Sequence, residues 1–211
     1  HTKGDDIFRG TIVILLVMVA AKLASFLAEA VLAAFLGTSA DGDAFYMVSG
    51  IQQVLYPMLS VGIWKAFLPA YKKALVSDGT EAANQLANKA LYIFVLASIV
   101  LTVLLAFFSG TIVSLVAPGF DRYTHELCAK LVAITSPMYI FITAAAVYAS
   151  MLQCHGKFFA SQIREVASHV PIIIIAIVFY GQYGVMALAV GLLIGGLVRL
   201  VVELPFLSWG Y

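Results

Sequence analysis

A lysine and a glutamate interrupt the first long apolar run of this 211-residue chain. Lys22 lies about eleven residues into a run from about Thr11 to Leu36, which is mid-membrane at about 1.5 Å per residue if the run spans a bilayer. An ammonium group snorkels poorly from that depth, so it requires a polar cavity or an opposing partner. Glu29 follows at i+7, on the same helical face and two turns nearer the far end. Two readings stand. Either the pair lines a wet cavity, where the lysine would attract an anionic group, or each finds a hydrogen-bond partner inside a bundle. Gln52 and Gln53 precede Pro57 in the second apolar run, and face the same cavity or bond between helices. Asp43 reads as a helix N-cap before it reads as a ligand contact. Arg199 and Glu203 are spaced i,i+4 on the last run, as a pair that neutralises itself. Arg164 and Glu165 fall at the inner interface, and Lys65 lies close enough to the inner end to snorkel.

No pattern points to covalent chemistry. The chain has no GxSxG, GxxxxGK[ST], HExxH or paired CxxC. His1, His125, His155 and His169 do not combine with the cysteines at metal-ligand spacing, so no metal and no cofactor are expected. Cys128 and Cys154, if on one helix, lie about 39 Å apart, and a disulfide needs Cα atoms within about 7 Å. A net charge of +1 gives no bulk attraction for nucleic acid.

Behind these residues stands a chain that is 63% hydrophobic and 11% charged, against roughly 25% charged in a soluble domain. It is an integral membrane protein. Six spans are expected in one all-α transmembrane domain covering residues 1–211, at about 11–36, 44–71, 90–108, 127–153, 166–180 and 185–207. Pro57 and Gly62 predict a kink in the second, and Gly181–Gly184 a tight turn before the sixth. The first run is too long for a cleavable signal, and no small-residue cleavage site ends it. With alternating spans, Lys3, Arg9, Lys72, Lys73, Lys157 and Arg164 fall on one side, against Arg122 and Lys130 on the other. Both termini are therefore expected to be cytoplasmic. Ala187, Gly191 and Gly195 form a small-residue stripe on the sixth span, which packs inside the chain or between chains.

Several segments carry a resemblance. Phe35-Leu-Gly-Thr-Ser-Ala-Asp-Gly-Asp-Ala-Phe45 resembles the segment after the first helix of MurJ/MviN-type lipid II flippases. Gly62-Ile-Trp-Lys-Ala-Phe-Leu-Pro-Ala-Tyr71, Ala117-Pro-Gly-Phe120, Pro137, Gly156-Lys-Phe158 and Gly195–Leu207 follow in the family's order over nearly the whole chain. The resemblance implies membership of the multidrug/oligosaccharidyl-lipid/polysaccharide exporter superfamily, whose proteins set two six-helix lobes around a central cavity. This chain corresponds to the N-terminal lobe. It implies a transporter rather than an enzyme, moving a lipid-linked, anionic sugar or peptidoglycan precursor across a bacterial-type cytoplasmic membrane by alternating access. The partners implied are membrane lipid, the lipid-linked substrate and a second lobe: a second copy, a separate chain, or the rest of a longer protein. The chain begins without Met and stops where the family's inter-lobe connection starts, so a fragment of a longer protein is expected. The resemblance places Lys22, Ala28 and Tyr56 on arginines of the family's cationic cavity, and His169 on an asparagine, while Glu29 and Asp43 keep acidic positions. Lysine keeps the charge but loses bidentate phosphate recognition, so this cavity is a poorer pyrophosphate site. Two alternatives stand beside lipid flipping: a lobe that binds lipid or a partner without transport, and a cation-coupled drug exporter of the same superfamily.

Overall fold

The computed structural model describes residues 3–208, with side chains from residue 12 onward except 14, 160–162 and 208. Every regular element among them is helical: α1 (Lys3–Leu36), α2 (Ala40–Ser77), α3 (Gly79–Phe107), α4 (Ser109–Val116), α5 (Arg122–Thr135), α6 (Met138–Cys154), α7 (Phe158–Tyr183), α8 (Val185–Val201) and α9 (Leu204–Ser208). Five stretches are long and apolar enough to cross a membrane: Leu15–Leu36, Gly79–Phe107, Arg122–Cys154, Ile163–Tyr183 and Val185–Leu207. The expected second span is not among them. α2 is 38 residues long, about 57 Å, but Gln52, Gln53, Ser60 and Lys65 dilute its apolar character.

Local chemistry sets the helix ends, and two expectations change. Ser39, not Asp43, caps α2: its hydroxyl accepts from the Gly42 N–H at 3.1 Å. Asp43 instead sits exposed in the first turn with Asp41, where carboxylates complement the helix dipole. α7 runs on to Tyr183, so the turn into α8 shrinks to Gly184, at φ +55°. The fourth span divides at Pro137, which has no N–H for the carbonyl of Ala133. The Ser136 hydroxyl donates to that carbonyl instead, at 2.9 Å. α2 by contrast continues unbroken through Pro57, Gly62 and Pro69. Cys128 on α5 and Cys154 ending α6 are both free thiols.

α2 packs on α3, α5 and α6, and α7 packs on α8. α1 lies along α7, with Phe35 against Tyr180 at 5.1 Å between ring centroids, and meets α2 only slightly. The small-residue stripe works within the chain. A methyl added at Gly195 would lie 2.6 Å from the Ser168 carbonyl oxygen, and one at Gly191 3.1 Å from Ile172 Cα. Both neighbours are on α7, so these two helices meet backbone to backbone.

Two expectations follow. Gly195→Ala forces α7 and α8 apart and should cost about 1–3 kcal/mol. Gly62→Ala, where a methyl meets nothing within 4 Å, should be neutral or stabilising by up to about 1 kcal/mol; thermal unfolding in mild detergent compares them. Asp121 caps α5, accepting from the Thr124 hydroxyl and from the Tyr123 N–H at 3.0 Å. The Thr124 hydroxyl bond above all holds the Asp121 carboxyl below the usual carboxylate range. Its stabilising effect is therefore present above that range and lost as pH falls through the lowered value. Hydrogen-exchange protection of the first amides of α5, relative to their intrinsic exchange rates, should fall at acid pH, and should stay pH-flat in Asp121→Asn.

Candidate functional site

The site grows from four charged side chains that two helices and a helix junction turn inward. Arg164 and Glu165 come from α7, Arg199 from the last turn of α8, and Glu203 from the α8–α9 junction. Arg164 is 14% exposed, Arg199 11%, Glu165 28% and Glu203 not at all. Bare charges cannot be held at such burial, and each is paired. Arg199 Nη1 donates to Glu165 Oε1 at 2.8 Å, and Nη2 to Ser168 Oγ at 3.0 Å. Arg164 Nη1 donates to Glu203 Oε1 at 3.1 Å and to the Ala145 carbonyl of α6 at 3.2 Å. α2 joins through Tyr56, whose hydroxyl donates to Glu165 Oε1 at 2.9 Å and accepts from Arg199 Nη1. The Arg199 guanidinium also covers the Tyr56 ring, 4.6 Å from its centroid. On the far side of Glu165, His169 Nδ1 donates to its backbone carbonyl at 2.7 Å, on the tautomer this geometry requires.

Arg199 and Glu203 therefore do not neutralise each other. Each reaches across to α7 instead, because guanidinium forks find better-aligned carboxylates there than one turn along their own helix. Arg164 and Glu165, expected at an interface, point into the bundle. The formal charge of the quartet sums to zero, so neither guanidinium is free to hold an added anion without first losing a carboxylate.

The residues singled out by sequence are distributed differently. Lys22 and Glu29 are both exposed on α1, on the flank beside the packed seam that buries Ala28, Leu32 and Leu36. Neither pairs with another described side chain. Gln52 and Gln53 part company. Gln53 is exposed, whereas Gln52 is buried at the edge of a cavity of about 10 Å³ shared with Val132, Thr135 and Tyr139. Its Nε2 has no partner among the described residues. Gln52 thus belongs to the packed interior of α2, α3, α5 and α6, and Ala28 to the α1 seam. Counting from the α1–α2 turn at about 1.5 Å per residue, Lys22 and Gln53 lie about 20 Å deep and Tyr56 a turn deeper. Three residues of the ion cluster were missed as a unit. Tyr56 and the Arg164-Glu165 pair carry the sequence signal, charge and a phenol inside otherwise apolar runs, but not the partner assignment.

Membrane-length helices that turn charges toward one another instead of toward lipid define a multi-pass membrane protein with a polar interior. The family model for "Lipid II flippase MurJ" matches residues 32–209, and the chain belongs to that family. It is 26% identical over 201 residues to a probable lipid II flippase MurJ of Rickettsia prowazekii, covering 92% of this chain and 39% of that protein. Among solved structures, a lipid II flippase MurJ in an inward closed conformation superposes with a TM-score of 0.73 at 25% identity, over 94% of this chain and 41% of that one. A MOP superfamily transporter from Pyrococcus furiosus shares the fold, at TM-score 0.77 and 14% identity, over 93% of this chain and 44% of its own. The chain therefore spans about 40% of the length of the relatives it matches.

Arg164→Ala would strand Glu203 in the bundle without its cation and should cost about 3–5 kcal/mol. Tyr56→Phe, which removes one hydroxyl and keeps the ring under Arg199, should cost only about 1 kcal/mol. Denaturation monitored by tryptophan fluorescence in detergent distinguishes them.

Proposed function

We propose that this chain is one lobe, the N-terminal one, of a flippase that moves a lipid-linked anionic sugar or peptidoglycan precursor by alternating access. The observation that carries the reading is the position of Lys22: an ammonium with no side-chain partner among the described residues, about 20 Å down α1, outside the seam that α1 buries against its own chain. A charge so placed needs a wet cleft, and a second lobe facing this flank of α1 supplies one. Lys22 would then attract the head group, Glu29 and Gln53 would line the same cleft, and Asp43 would sit at its outer mouth. No covalent step is involved. α2 serves as the sixth span, its polar residues tolerated because its other sides are covered by α3, α5 and α6. The membrane is the bacterial-type cytoplasmic one. Arg164 drops out of the count of loop charges because it is buried, yet Lys3, Arg9, Lys72, Lys73 and Lys157 still outweigh Arg122 and Lys130. Both termini are accordingly cytoplasmic.

The second lobe is the remainder of a longer protein, a separate chain or a second copy. Parallel repeats about an axis along the membrane normal allow each of these. One observation favours a second reading, a lobe that binds lipid but does not transport: both buried guanidiniums are already committed to carboxylates, which leaves Lys22 to act without an arginine clamp.

The test reconstitutes the chain with its second lobe in liposomes containing a labelled polyprenyl-pyrophosphate sugar. Lys22→Ala should slow flipping about tenfold, the loss of one contact worth about 1.4 kcal/mol, and Lys22→Arg should retain it. Unchanged flipping in Lys22→Ala would remove the proposed mechanism. Binding without flipping in the wild type would establish the second reading.

A further inference from the structure

Glu203 lies where the chain leaves α8 and enters α9, between Val202 and Leu204. Its side chain is fully buried, yet its two oxygens are unequally served. Oε1 accepts from Arg164 Nη1 at 3.1 Å. Oε2 is buried with no hydrogen-bond partner among the described residues. The other half of the asymmetry is on Arg164, whose Nε is buried without a hydrogen bond among the described residues and stands 3.6 Å from Glu165 Oε1. A carboxylate buried with one bare oxygen is costlier than a neutral carboxyl in the same place, because the charge itself goes unsolvated.

The surroundings hold the groups that would answer a change of charge there. Arg164, Glu165 and His169 face the cluster from α7, Arg199 from α8 and Tyr56 from α2. α6 presents the Ala145 carbonyl. Lys157, at the start of α7, donates to the Phe206 carbonyl of α9 at 2.7 Å. All are described residues.

We infer that Glu203 is a proton-binding site, and that its proton decides which carboxylate Arg164 serves. With Glu203 ionised the quartet is neutral, and Arg164 is drawn to both acids. A proton taken from water forms an O–H bond on Oε2, leaving Glu203 uncharged and the quartet at +1. Arg164 is then attracted to Glu165 alone, where its Nε gains the acceptor it lacks. Arg199, sharing that same oxygen, loosens toward Ser168 and Tyr56. Because Arg164 also holds the α6 carbonyl, the proton alters the tie between α6, α7 and the α8–α9 junction. The binding site stands apart from the transport reading; its use to couple a proton gradient to lobe movement rests on that reading.

Infrared difference spectroscopy of the full chain in lipid nanodiscs, stepped from alkaline pH only down to neutral so that Asp121 and the other exposed carboxylates stay ionised, tests it without any transport assay. A protonated-carboxyl C=O band should appear and titrate, disappear in Glu203→Gln, and persist in the exposed-site variant Glu126→Gln. If Glu203→Gln does not fold, Glu203→Asp should move the band's frequency. No such band, a band surviving in Glu203→Gln, unmoved in Glu203→Asp, or lost instead in Glu165→Gln would each overturn the assignment. A proton site confirmed here, alongside no flipping by the chain reconstituted with its second lobe, would leave this inference standing and remove the transport reading alone.

Discussion

Charge neutrality inside a membrane bundle governs this structure. Two guanidiniums and two carboxylates are drawn from α7, α8 and the α8–α9 junction, with a phenol from α2 and a carbonyl from α6. In a low-dielectric interior each charge is tolerable only because another faces it within about 3 Å. That requirement fixes the rotation of α7 and α8 about their axes, since a turn of either would aim an ion at hydrocarbon. It also pins α2, the helix least committed to lipid by composition, against the rest of the bundle.

Close packing makes the pairing geometrically possible. Gly191 and Gly195 allow α8 to lie against the α7 backbone at Ile172 and Ser168, and Ser168 also accepts from Arg199. The small residues and the ion cluster are thus one device. Without the glycines, α8 would stand farther off and its arginine would fall short of Glu165. The Gly184 turn sets the register, bringing α8 back antiparallel immediately after α7.

The opposite arrangement holds at Lys22. The bundle pairs its own buried charges so that they balance, while α1 presents an exposed ammonium and carboxylate that pair with no other described side chain. That the matched relatives extend to about two and a half times the covered length fits the same picture.

The sequence determined the class of fold, the helical content and the apolar stretches, because these follow from composition and from a fixed rise per residue. It also carried the order of motifs that marks the family. Tertiary structure alone decided the partners. Arg199 and Glu203 are one helical turn apart in sequence, yet each is claimed by α7, since side-chain pairing depends on which helix approaches and at what rotation. Gln52 and Gln53 look equivalent in the chain and end in different surroundings, one in the core and one exposed. Ser39 displaced Asp43 as the cap because the chain bends at Gly37 and not four residues later. Periodicity locates a residue along a helix; only the neighbours that arrive from elsewhere in the chain determine what it meets.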